Sequence, residues 1–172
     1  MRRAVYLLMP MLLGAPTGAE PVTVHGFTDP FLPGIPLGAG PEAVSDALGE
    51  LGWEIEHHSV HPDGRTTIRA GNAAGWLLYY EYAPDGNPFS ILTAEAWAEE
   101  SHRDDSHADW KERLSAQFGD PVTVESASGD LLRWAGDSCT VELDLNAPEF
   151  YVEGWYTLVV LVLFNLNEKD EP

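Results

Sequence analysis

Residues 106–126 read S-H-A-D-W-K-E-R-L-S-A-Q-F-G-D-P-V-T-V-E-S. They hold a helix, its stop and the strand that follows. Ser106 stands where a helix N-cap belongs, with Asp109 three residues on as a shortened capping box. Trp110, Leu114 and Phe118 recur at i, i+4 and i+8 along one helix face. Gly119 closes the helix and Pro121 prevents its continuation. Val122–Ser126 then alternates as a strand does.

The same grammar stands earlier in the chain. Pro41 sits at the first helical position. Val44, Leu48 and Leu51 share a face with Ala47 beside them, and Gly52 follows as a C′ glycine. Strands are expected after this first helix at residues 53–60, 65–70, 76–82 and 89–97. After the second helix they are expected at 122–126, 131–135, 139–145 and 155–166. His61-Pro62-Asp63-Gly64 and Ala83-Pro84-Asp85-Gly86-Asn87 have the composition of turns. Gly52 and Gly119 lie 67 residues apart. The expected fold class is α+β: two helices packed on one face of a curved antiparallel sheet. The order is open to reading as a degenerate tandem helix–strands repeat.

Outside this region the chain changes character. Arg2 and Arg3 precede an apolar run over 4–13, and Thr17-Gly18-Ala19 supplies small residues before Glu20. That is the pattern of a cleaved signal peptide over 1–19. The run is too short for a bilayer, which needs about 20 apolar residues, and Pro10 interrupts it. The second apolar run, 156–166, is also too short and reads as a buried strand. The expected organisation is a signal peptide at 1–19, then a Pro/Gly-rich extended segment at 20–40 with a short strand near 22–24. A single domain at 41–166 and an acidic tail at 167–172 complete it. Such a chain is secreted, and periplasmic in a Gram-negative host.

Charge narrows the partners. The 172 residues carry 28 acidic and 9 basic side chains, a net charge of −19. Nucleic-acid binding needs basic groups to neutralise phosphates, and no basic patch exists. Anionic membrane surfaces are disfavoured for the same reason. A cationic partner, divalent ions and simple solubility all stay open. Cys139 is the only cysteine. A secreted chain with one cysteine has no internal disulfide, so its core must hold the fold.

Ile35-Pro36-Leu37-Gly38-Ala39-Gly40-Pro41-Glu42-Ala43-Val44, followed by Leu48 and Gly52, is similar to the helix opening of small envelope modules of the BamE/SmpA and β-lactamase-inhibitor-like kind. Phe118-Gly119-Asp120-Pro121 resembles the Leu-Gly-x-Pro that ends a helix in them. The likeness covers about thirty residues in two patches. It has no lipidated cysteine, and its motifs mark a helix start and a helix stop. It implies a secreted α+β domain that works by binding, with no catalytic residue to carry over.

Three constellations could carry chemistry. Gly136-Asp137-Ser138 opens like a Gly-Asp-Ser hydrolase signature. Its partners would be His107 and Asp104, from Asp104-Asp105-Ser106-His107. That order is reversed relative to the hydrolases, and Ser138 leads into a half-buried alternation of Cys139, Val141 and Leu143 without a helix to form an oxyanion hole. A hairpin turn explains the tripeptide. Cys139 itself reads as a small buried hydrophobe. His57, His58, His61 and Asp63 form the densest group of metal-capable side chains, and His102, Asp104, Asp105, His107 and Asp109 a second. In an extended strand His57, Ser59 and His61 face one way and His58 the other. A zinc or copper site needs three or four convergent ligands, which this spacing does not supply alone. Calcium loops, phosphate loops and H-E-x-x-H motifs are absent. Tyr79-Tyr80-Glu81-Tyr82 and the six tryptophans could instead make an aromatic binding surface.

The leading expectation is a secreted, non-catalytic protein-binding or envelope-associated module, with no cofactor and with an unnamed protein or small-molecule ligand as its partner. A metal-binding protein using the histidine cluster is the alternative, and a serine hydrolase the third reading.

Overall fold

The computed structural model describes residues 27–74, 76–126, 129–145 and 153–164. The expected signal peptide, the strand near 22–24 and the acidic tail lie outside these residues. Each expected strand appears, within a residue or two at its ends. Helix α1 (Pro41–Glu50) precedes β1 (Glu54–Val60), β2 (Thr66–Gly71), β3 (Leu77–Tyr82) and β4 (Pro88–Trp97). Helix α2 (Glu100–Phe118) precedes β5 (Val122–Ser126), β6 (Gly129–Ala135), β7 (Cys139–Leu145) and β8 (Tyr156–Phe164).

All eight strands join into one antiparallel sheet in the order β1-β2-β3-β4-β8-β7-β6-β5. Each half is an antiparallel meander of four strands. The halves meet last strand to last strand, with Ser90 opposite Leu163 and Trp97 opposite Tyr156.

This corrects the expected fold class. The molecule is a sheet-dominated protein and not two helices packed on a sheet: 45% of the described residues are strand and 23% helix. The reason lies in what each element buries. The 19 residues of α2 bury only Arg103, Trp110 and Leu114, and α1 buries Val44, Ala47 and Leu48. Strand alternation supplies most of the core: Ile68 and Ala70, Leu78, Tyr80 and Tyr82, Ile91, Val141 and Leu143, Leu158, Val160 and Val162. Fully burying one such aliphatic side chain stabilises the fold by about 1.5–3 kcal/mol. The opposite side of the sheet has its own small cluster of Leu92 and Val159 with Tyr79, Ala94 and Leu161. Ion pairs flank it, Arg65–Glu81 at 2.9 Å and Arg133–Glu142 at 2.6 Å.

The α1 start is as expected: Gly40 is the N-cap, Pro41 follows it, and Gly52 has φ 77° beyond the last turn. The α2 start is not. The helix begins at Glu100, six residues before Ser106, and its N-cap Glu99 makes no side-chain cap. Ser106 lies inside the helix and donates its hydroxyl to Glu95 Oε2 at 2.6 Å. A partner on the neighbouring strand replaces the local role that Ser106 would have had as a cap.

Residues 27–39 strap the core to the helices. Phe27 stacks on Phe118 at 5.0 Å, and Phe31 meets Trp110 at 5.4 Å. The Arg113 guanidinium donates to the Pro30 carbonyl, and Tyr82 donates its hydroxyl to the Ala39 carbonyl at 3.2 Å. Asp29 is the buried pivot. It accepts the N–H groups of Phe31 and Leu32 at 2.8 and 3.0 Å and the Tyr80 hydroxyl at 2.8 Å.

Candidate functional site

Antiparallel pairing places the end of β4 beside the start of β8, so Trp97 faces Tyr156 across the ladder. By alternation both project to the helix side of the sheet, where α2 begins. Trp76, just before β3, meets Trp97 edge to face at 5.8 Å and 67°. His102, in the first turn of α2, also meets Trp97, at 6.2 Å and 68°. Arg103 lies 5.2 Å from the centre of the Tyr156 ring. Trp155 is 48% exposed and Tyr156 36%. Trp76, Trp97, His102 and Tyr156 form one patch at one end of the sheet, and the exposed Trp155 precedes Tyr156 in the chain.

Its rim is acidic. Glu99, Glu100, Asp104 and Glu153 are exposed around it. Arg103 is 5% exposed and is held by Glu100 at 3.0 Å and Asp104 at 2.6 Å. The Arg103 guanidinium is thus held between two carboxylates and the face of the Tyr156 ring. Trp97 Nε1 is buried with no hydrogen-bond partner among the described residues. Beneath the patch Glu95, 1% exposed, accepts Trp110 Nε1 at 2.9 Å as well as Ser106, so it ties β4 to α2.

The residues singled out from the sequence fall elsewhere. Gly136-Asp137-Ser138 links β6 to β7, with the Gly136 N–H donating to the Cys139 carbonyl at 2.9 Å. Ser138 lies in a cleft beside Gln117 and Phe118. His107 is ten residues earlier on the same helix, about 15 Å along its axis. Asp104 belongs to Arg103, which donates to it at 3.0 and 2.6 Å. The structure therefore does not bring Ser138, His107 and Asp104 together. Burial holds the half-buried His107 below its ordinary value, and Lys111 adds to the shift.

Cys139 is buried in the core cluster, and burial pushes its thiol up to about 11. His57 lies opposite Arg69 and His58 opposite Ile68, on opposite sides of β1. His61 Nε2 is 3.3 Å from Thr67 Oγ1. Asp63 is taken by Arg65, whose Nε donates to it at 2.8 Å and holds the carboxyl below its usual range. Among the described residues no three His, Cys, Asp or Glu side chains are grouped to hold a metal ion.

Among the described residues no helix is long and apolar enough to cross a membrane. Comparison with known proteins found no matching family model, no matching curated protein and no matching solved structure.

The aromatic patch was only half legible. Trp76 and the Tyr79–Tyr82 run stand out in the sequence, but Tyr80 and Tyr82 are buried in the core and Tyr79 packs on the opposite side of the sheet, so the run makes no binding surface with Trp76. Trp97 and Tyr156 come together only through a ladder between strands some sixty residues apart, which no local pattern specifies.

Proposed function

We propose that this chain is a secreted, non-catalytic binding module that docks a basic segment of a partner protein on the aromatic patch where α2 begins. The observation that carries the reading is a cluster of Trp76, Trp97 and Tyr156 beside the exposed Glu99, Glu100 and Asp104, with the exposed Glu153 and Trp155 leading into Tyr156. Tryptophan and tyrosine dominate the energetics of protein interfaces. The net charge of −19 steers cations toward the surface and repels acidic competitors. The likeness to envelope modules and the leader-like first nineteen residues support the compartment.

The test is titration of the purified chain with a short peptide alternating Arg and Gly, and with its Glu counterpart. Only the Arg peptide should bind. Trp97→Ala with Trp155→Ala should weaken it about tenfold or more. Added salt should weaken it further, since exposed charges are screened beyond about 10 Å at 0.1 M. Equal binding of both peptides, or binding indifferent to the double substitution, would remove the reading.

A further inference from the structure

His102 stands where the aromatic patch meets its acidic rim. It is exposed, in the first turn of α2, and two neighbours face its ring. The Trp97 ring lies 6.2 Å away, the planes at 68°. Glu99 Oε2 lies 4.0 Å from the His102 Nε2. Histidine is the side chain whose charge ordinarily changes between about pH 5 and 8. A neutral imidazole carries no charge to set against Glu99. An imidazolium at the same place is a cation between a carboxylate and an indole ring, and both attract it.

Other charged and titratable groups stand around it. On α2, Glu100 and Asp104 hold Arg103, and Asp105 lies one turn on from His102. On β4, Glu95 accepts from Ser106 and Trp110. At the start of β8, Tyr156 lies beside Arg103, with the exposed Glu153 ahead of it in the chain. Trp76, before β3, adds a ring and no charge. The first turn of a helix resists a cation, so an imidazolium there depends on Glu99 and Trp97. An indole ring and a carboxylate are also the two kinds of group with which the patch would hold a basic segment. We propose that His102 gates the docking patch by pH: its neutral form leaves Trp97 and Glu99 to a basic partner, and its protonated form occupies both and releases that partner. The inference rests on the docking reading and adds the regulation of that site.

The probe is the N-acetylated Arg–Gly peptide, whose charge is constant between pH 5.5 and 7.5. The parent's affinity for it should fall about threefold from pH 7.5 to 5.5, the size of one exposed charge pair. In His102→Gln the ratio of the two affinities should be close to one, whatever its affinity at pH 7.5. Asp29, His57, His58 and His61 remain in that variant, so a pH effect arising from any of them would survive it. His107→Gln should keep the parent's ratio, because burial and Lys111 hold His107 neutral to lower pH than usual. With no peptide present, the Trp97 indole N–H resonance, assigned with Trp97→Phe, should move between the two pH values in the parent and stay in place in His102→Gln. The gate is overturned, and the docking reading stands, if the parent binds the peptide equally well at both pH values or if His102→Gln keeps the threefold ratio. A Trp97 resonance that does not respond to the loss of His102 overturns the gate as well. No binding at either pH overturns the docking reading and the gate together.

Discussion

Asp29 is a buried carboxylic acid whose chemistry departs from its ordinary behaviour. It is 3% exposed, and burial raises its carboxyl from 3.8 to about 6, against the opposing pull of Tyr80 and the N–H groups of Phe31 and Leu32. The folded chain therefore holds a proton at Asp29 that the unfolded chain has lost, between pH 3.8 and 6. Stability from this group is full below the unfolded value and falls as pH rises through 6. Two units correspond to about 3 kcal/mol. Asp29→Asn can still accept the two N–H groups and can donate to the Tyr80 oxygen. The variant should match or exceed the parent in stability at pH 7.5 and should lack the decline between pH 4 and 6. Urea melts of both chains across that range measure the difference, and parallel curves would refute the assignment. None of this was legible beforehand: Asp29 sits in a Pro/Gly-rich stretch that reads as extended chain. Only its long-range partner Tyr80, fifty-one residues away, gives it a role.

The junction of α2 with β4 shows how a local signal is overridden. Ser106 and Asp109 have the composition of a cap, yet the helix runs on past them to Glu100. Two features support the extra turns. Arg103 is buried against Tyr156 and bonded to Glu100 and Asp104, and Ser106 finds Glu95. A window of sequence sees neither Tyr156 nor Glu95, so it ends the helix at the first residue able to cap it. What was legible was the far end: Gly119 has φ 85° and its N–H returns to the Ser115 carbonyl at 2.9 Å. A glycine there needs no tertiary partner to be recognised. The buried Glu95 can be tested as a unit. Glu95→Ala leaves the Trp110 indole N–H and the Ser106 hydroxyl without an acceptor and should cost about 2–4 kcal/mol. Ser106→Ala should cost about 1–2 kcal/mol through the same bond. In the double variant the costs should fall well short of additive, because each substitution breaks the interaction the other needs. Denaturant melts of the three variants decide it. Additive losses would mean that Ser106 stabilises the helix independently of β4.

Across the whole molecule, the eight strands were legible one by one because period-two alternation is local, and so was the order in which they and the helices follow. Their assembly was not. Nothing in the chain says that β4 pairs with β8, and that pairing turns two meanders into one sheet and moves the weight of the fold from helices to strands. It is also the longest ladder, continuous from Ser90 to Trp97 against Tyr156 to Leu163. Residues on both sides of it, Ile91 and Val160 or Val162, are nearly or fully buried in one cluster that takes in both helices. Two halves sharing such a seam cannot open separately without exposing it, so the described fold should unfold as one cooperative unit. Ile91→Ala tests this, because Ile91 is 1% exposed and lies at the seam but within the first half. The substitution should cost about 2–5 kcal/mol. The decisive measurement is amide hydrogen exchange, which resolves opening by segment. If the seam couples the halves, the slowest amides of β2 and β3 and those of β6 and β7 lose protection by the same free energy. A loss confined to β1–β4, with β5–β8 keeping its protection, would show that each helix–meander half holds its own core and that the seam only joins them.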